Sequence, residues 1–228
     1  MAPELREALR ARLEAVEDRL RAACRRAGRA RAEVTLVAVT KTVSAEVAAL
    51  LPELGVVHLG ENRPQELWRK AALVPAGVHW HLIGHLQRNK IERTLPLVRL
   101  IHSVDSLRLL DALEQQAAGR PQPLRVLLEV NASREPNKHG FAPEEVPGLV
   151  GKLNELRHVR VEGLMTMAAY DADPERSRST FAEVRALGDR LGLRQLSMGM
   201  SNDFEVAVEE RATLVRIGSA LFDGLPGR

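Results

Sequence analysis

Eight times along the chain, a short run of apolar and β-branched residues gives way to a segment patterned for a helix. The runs are Val34–Thr40 ("VTLVAVT"), then "GVVHLGEN", "VHWHLIG", "LIHSVDS", "LRVLLEVN", "VRVEGLMTM", "LRQLSMG" and "TLVRIG". After the first comes a helix capped at Ser44 with Glu46 in its first turn, and after the second one that opens at Pro64. Further helices are predicted over "QRNKIERTLP", over "LRLLDALEQQAA", up to about Leu156, from about Asp173 to Leu191, and near "DFEVAVEE". Strands joined through helices pair in parallel. Eight such units predict an α/β protein built as one (β/α)8 barrel of the TIM type. A doubly wound open sheet is the competing arrangement, because alternation by itself does not show closure.

Ahead of the first strand, Leu5, Leu9, Leu13, Val16 and Leu20 recur at three- and four-residue steps. That spacing predicts an extra amphipathic helix over about Pro3–Ala27, ending at Gly28. No linker rich in Gly, Pro or Ser interrupts the pattern. The expected organisation is one domain over residues 1–228, with the helix in 1–28 and the barrel in 34–228.

With 45% hydrophobic but only 3% aromatic residues, the core must be built mainly of Leu, Val and Ala. The net charge is +3 and the basic residues are spread without a Lys/Arg block, so nucleic acid is not an expected partner. The only cysteine, Cys24, excludes an intramolecular disulfide and fits a reducing compartment. The charged N-terminus lacks the apolar run of a signal peptide, and no apolar stretch approaches membrane-spanning length. A soluble, cytoplasmic protein is expected.

Barrels of this type carry their chemistry at the C-terminal ends of the strands. Those ends supply Lys41, Glu61 and Asn62, Gly84 and His85, Asp105, Asn131, Thr166, Ser197 through Ser201, and Arg216, Gly218 and Ser219. Ser44, Asp105 and Asn131 also suit capping or turns. Lys41 is harder to assign to structure alone, in a chain with only five lysines. An amine desolvated by Leu36, Val37 and Val39 and repelled by a nearby cation would have a lowered pKa and a lone pair free to form a Schiff base. Arginine could not replace it, since it stays protonated. In the last third, "SMGMSND" and "RIGSALFDG" each turn from a strand into a helix, with Ser201 at one helix start and Gly218 and Ser219 at the other. Free backbone N–H groups there, aided by a hydroxyl, make an anion site where barrels often hold phosphate. Together these residues describe a pocket for a phosphorylated aldehyde. His79, His81 and His85 alternate along the third strand and its exit. With no carboxylate at matching spacing they read as packing and hydrogen-bonding residues, and no metal is expected.

Over essentially its whole length the chain resembles the pyridoxal phosphate (PLP) homeostasis proteins, whose barrel is similar to that of bacterial alanine racemases. The resemblance rests on "AVTKT", "HLGENRPQE", "HWHLIGHLQRNK", "IHSVDS", "EVNASREPNKHGF", "VEGLMTM", "LSMGMSNDFEVAV" and "VRIGSALF". It implies that PLP is the cofactor and that Lys41 holds it as a Schiff base. It further implies that Asn62 lies beside the ring, that Ser201 with the backbone at Gly218 and Ser219 binds the phosphate, and that Arg216 faces the pyridine nitrogen. The chain reads "NKHG" where the family more often has serine beside the lysine, which leaves Lys138 either as an alternative PLP contact or as a solvated loop residue.

Arg216 is a permanent donor and would hold the ring nitrogen unprotonated, weakening the electron sink. The racemases use a similar arginine but add a tyrosine from a partner subunit. Here the only tyrosine, Tyr170, lies in the loop after the sixth strand. The expectation is a monomeric, non-catalytic PLP carrier that stores, buffers or delivers the cofactor, with PLP-dependent apo-enzymes as recipients. The alternatives are a minimal PLP-dependent amino-acid racemase and a cofactor-free aldolase-type lyase acting through Lys41.

Overall fold

In the computed structural model, which describes residues 2–225, eight parallel strands close into a barrel in sequence order. They are β1 (Thr35–Val39), β2 (His58–Glu61), β3 (His79–Leu82), β4 (Val98–Val104), β5 (Leu124–Glu129), β6 (Val159–Met165), β7 (Gln195–Ser197) and β8 (Leu214–Ile217). The closing pair is β1 with β8, where Thr35 to Ala38 lie opposite Leu214 to Ile217. Closure excludes the open sheet. The helices are α1 (Ala2–Arg26), α2 (Ala45–Glu53), α3 (Pro64–Ala71), α4 (Ile91–Thr94), α5 (Leu107–Gln116), α6 (Val150–Glu155), α7 (Arg178–Leu191), α8 (Phe204–Glu209) and α9 (Ser219–Phe222). Met1 and residues 226–228, the ends of the expected 1–228 unit, lie outside the described residues.

Strand periodicity sorts the side chains into two regions. Leu36 and Ala38, Leu59, Trp80 and Leu82, Val126 and Leu128, and Val215 and Ile217 belong to the large core between sheet and helices. The alternating positions form a smaller lumen cluster of Val37, Leu100, Leu127, Met165 and Leu214. The same inward register carries His58, His81, His102, Glu129, Ser197 and Arg216. The barrel interior therefore mixes the two kinds of side chain, with Val37 opposite Arg216, Leu100 opposite His81 and Met165 opposite Glu129 and Ser197.

Several helix boundaries follow from local chemistry. Ser44 Oγ accepts from Val47 N at 3.4 Å, the expected cap of α2. Pro64 stands at the first turn of α3, where its missing N–H leaves no bond unmade. The cap of α5 is Ser106, whose Oγ accepts from Leu109 N, so Asp105 is left for another role. The helix predicted over "QRNKIERTLP" is reduced to a 3-10 turn at Arg88–Lys90 and the four-residue α4, since Pro96 cannot continue it. α1 buries Leu9, Leu13, Val16, Leu20 and Ala23 and packs on α8 and α9, the two short helices beside β8.

Candidate functional site

The exits of β1, β2 and β8 bring together the residues singled out from the sequence. Ala38 pairs with Leu59 and Val39 with Gly60, so the chain leaves the barrel with Lys41 level with Asn62. On the other side, a Cβ at Gly218 would sit 3.4 Å from Val39, which shows how closely the β8 exit approaches the end of β1. Asn62 packs against the β3 exit. Its backbone O and Oδ1 occupy the space of a side chain at Gly84, where a Cβ would lie only 2.2 and 2.3 Å away.

Lys41 is exposed rather than wrapped by Leu36, Val37 and Val39, because its side chain leaves the strand at the mouth while theirs stay in the wall. Lys41 and Asn62 make no hydrogen bond or ion pair among the described residues. What is buried is the support behind Lys41. Lys70, from α3, donates Nζ to Thr40 O and to Glu61 Oε1, both at 2.6 Å, and Thr40 Oγ1 donates to the same Oε1 at 2.6 Å. Lys70 and Glu61 are 1% and 0% exposed. This buried pair clamps the peptide that precedes Lys41.

Ser201 does not start α8. That helix begins at Phe204, and Asp203 occupies its entry, taking Met200 N at 2.7 Å and Ser177 Oγ at 3.1 Å. Ser201 Oγ instead accepts from Gly218 N at 3.3 Å and Ala220 N at 3.1 Å. The hydroxyl thus joins the loops after β7 and β8, and its own proton points to no acceptor among the described residues. Beside it, the Ser219 side chain is exposed.

Two residues deeper, Arg216 is 4% exposed. Its NH1 donates to Ser197 O at 2.8 Å and Ser197 Oγ at 2.6 Å, and its NH2 to Thr166 O at 2.9 Å. Its Nε makes no hydrogen bond among the described residues. Burial lowers its pKa to about 10, against the pull of Asp203 and Glu129, so it stays charged at neutral pH. Glu129, at the end of β5, is pushed up to about 7, first by burial and then by Asp105, while Arg216 and His85 pull it back.

A chain of hydrogen bonds leads away from Arg216 across the barrel. Ser197 Oγ meets His102 Nδ1 at 2.8 Å, His102 Nε2 meets His81 Nδ1 at 2.8 Å, and His81 Nε2 meets His58 Nδ1 at 2.9 Å. Arginine can only donate, so Ser197 Oγ accepts from it, and with no other acceptor in reach among the described residues the serine proton goes to His102 Nδ1. His102 and His81 are then both Nε2–H tautomers, each donating to the next ring. Burial holds His81 at about 3 and His102 well below the usual histidine range. The relay is neutral and runs one way, ending at half-buried His58 at the start of β2.

Sequence reasoning missed the Lys70–Glu61 clamp and the relay. The inward register of His58, His81 and His102 on three successive strands was the available signal. Lys138 is not the solvated loop residue that was one of the two roles left open for it. Its Nζ donates to Ser133 Oγ at 3.2 Å and Ala168 O at 3.2 Å and pairs with Glu135, tying its loop to the exit of β6. Asn131 serves the same loop, donating Nδ2 to Glu135 O at 2.9 Å. No helix among the described residues is long and apolar enough to cross a membrane.

Comparison with known proteins agrees with this fold. The family described as the alanine racemase N-terminal domain matches residues 11–226. The pyridoxal phosphate homeostasis protein of Aquifex aeolicus is 43% identical, covering 92% of this chain and 96% of its own. That of Deinococcus radiodurans is 44% identical over 89% and 95%. Among solved structures, PipY of Synechococcus elongatus with PLP bound has a TM-score of 0.81 at 30% identity, covering 94% of this chain and 99% of its own. An alanine racemase of Clostridium difficile shares the fold, with a TM-score of 0.78 at 18% identity, and this chain spans 57% of its length.

Proposed function

Since the chain belongs to the pyridoxal phosphate homeostasis protein family, whose barrel is that of the alanine racemase N-terminal domain, we propose that it binds PLP and acts in intracellular PLP homeostasis, storing, buffering or delivering the cofactor without turning over a substrate. When bound, PLP supplies an aldehyde that condenses reversibly with a primary amine. Lys41 would be that amine. The observation that carries the reading is the meeting of three complementary groups at the β1 and β8 exits. A lysine exposed and unpartnered among the described residues stands on one side, the Ser201 hydroxyl with Gly218 and Ser219 stands on the other, and Arg216 Nε, unbonded among the same residues, lies between the strands.

The residues divide the work by chemistry. Ser201 retains a proton to donate to a phosphate oxygen, and Ser219 adds an exposed hydroxyl. Arg216, fixed by two carbonyls and Ser197, has a donor to offer a ring nitrogen and cannot itself protonate it at neutral pH. Asn62, level with Lys41, can bond a ring oxygen. A carrier needs no second proton-transfer group opposite the lysine, and Tyr170 is 89% exposed. We place the protein in the cytoplasm, as a monomer holding all of these residues on the single barrel, with PLP-dependent apo-enzymes as its recipients.

Borohydride reduction of PLP-treated protein followed by peptide mapping tests this. A pyridoxyl adduct confined to the peptide carrying Lys41, absent in Lys41→Ala, is expected. Label scattered over several lysines would overturn the assignment of Lys41. Robust loss of α-deuterium from alanine, dependent on Lys41, would overturn the carrier reading and leave the racemase.

A further inference from the structure

The β3 and β4 exits and the loop after β5 converge on a second cluster. His85 Nδ1 lies 2.8 Å from Asp105 Oδ2, and His139 Nδ1 lies 3.8 Å from the same oxygen. The two imidazoles stack, with centroids 4.8 Å apart at 20°. One ligand-type atom from each residue falls within 4.8 Å of the other two. We propose that His85, Asp105 and His139 form a three-ligand site for a divalent transition-metal ion, Zn2+ by its donor set, at the barrel mouth.

Charge is the first reason. The Asp105 side chain is only 7% exposed, and no Lys or Arg pairs with it among the described residues. Its charge partners are two imidazoles, which are positive only when protonated. A nearly buried carboxylate facing two imidazole nitrogens is an environment that a bound cation completes. Nitrogen donors with one carboxylate favour Zn2+ and its first-row neighbours over Mg2+ or Ca2+.

Geometry is the second. Ligand bonds of about 2.0–2.1 Å in a tetrahedral site put neighbouring donor atoms about 3.3 Å apart. The observed 2.8 and 3.8 Å lie on either side of that spacing and all three donor atoms fall within 4.8 Å of one another, so side-chain rotation of the two histidines would complete the set. Ser106 Oγ holds Asp105 Oδ1 at 3.1 Å and leaves Oδ2 to the two histidines, the outer-sphere support that metal carboxylates receive. His139 is presented by a pinned loop. Phe141 N bonds Glu129 O at 2.8 Å, Asn131 N bonds Phe141 O at 2.9 Å, and Lys138 ties the turn to β6. Three protein ligands leave a coordination position open at the mouth. His139 is also the residue at which the chain departs from the serine more usual beside that lysine. The carboxylate that linear spacing around His85 lacks is therefore supplied by the next strand.

Co2+ titration of tag-free, chelator-treated protein, followed by visible d–d absorption and competed with Zn2+, tests the site without PLP. One Co2+ per chain, displaced by Zn2+, is expected. Loss of a ligand in His139→Ser or Asp105→Asn should weaken binding by at least the roughly 10–100-fold that losing an outer-sphere partner costs. His139 is exposed, so the Ser variant should keep the wild-type melting temperature and remain a valid control for folding. Unchanged Co2+ affinity in folded His139→Ser, or no Co2+ binding by the wild type at millimolar metal, would overturn the proposal.

Discussion

At the scale of single residues, the placement of Lys70 shows how a buried charge can serve a site it never touches. On the sequence it is a last-turn lysine of α3, a position that usually faces solvent and the helix C-terminus. In the fold it is 1% exposed, and its Nζ binds both Glu61 and the carbonyl of Thr40, the residue before Lys41. Nothing local in "PQELWRKA" signals this, because the partner carboxylate comes from β2. The one hint was the scarcity of lysine in an arginine-rich chain. Lys70→Met should lower unfolding free energy by about 3–5 kcal/mol, since it strands a carboxylate with no exposure. Coupling it with Glu61→Leu should recover most of that loss. Urea denaturation of both variants measures it, and a loss below about 1 kcal/mol in the single variant would mean that the clamp contributes little.

At the scale of elements, the strand exits were legible and the lumen was not. The order of strands and helices, the cap at Ser44 and the positions of Lys41, Asn62 and Gly218 at strand ends follow from local patterns. Which exits meet is a matter of barrel register, so Ser201 read as a helix start although its oxygen bonds the loop after β8. The histidine relay was hidden for the same reason, as three rings on three strands share only an inward register. Its titration has a definite sign. His58 is lowered to about 4 and His81 to about 3, with His102 also held well below the usual histidine range, all from an ordinary 6.5 and chiefly by burial. Between those values and 6.5 the unfolded chain binds more protons, so stability is full above 6.5 and falls as pH drops towards 4. Each fully suppressed histidine contributes about 1.4 kcal/mol per pH unit in that window, with half-buried His58 contributing less. Unfolding free energies at pH 6.5, 5.5 and 4.5 should decline, and His81→Asn should flatten the slope. An equal slope in that variant would mean that carboxylates alone cause the decline.

At the scale of the whole molecule, closure of the barrel bears on assembly. An open sheet presents edge strands that pair readily with another copy, and a barrel has none. Another route to a stable dimer is an apolar surface. Leu73, Leu97, Leu107 and Val150 are exposed on separate parts of the helical layer, after α3, before β4, and at the starts of α5 and α6. Tyr170 and Met200 stand on two loops that Asn202 ties together by donating Nδ2 to Asp171 O at 2.9 Å. Even counted fully, those two side chains offer at most about 250 Å2 each, short of the roughly 800 Å2 per partner that a stable interface buries. The groups proposed to hold PLP, from Lys41 to Ser219, all come from this one chain, in keeping with the monomer proposed above. Light scattering coupled to size exclusion should therefore give the mass of a single 25.2 kDa chain across a wide concentration range. A mass twice that, unchanged on dilution, would locate an interface that the apolar surface does not reveal, and hydrogen exchange around Tyr170 and Met200 would show whether the mouth forms it.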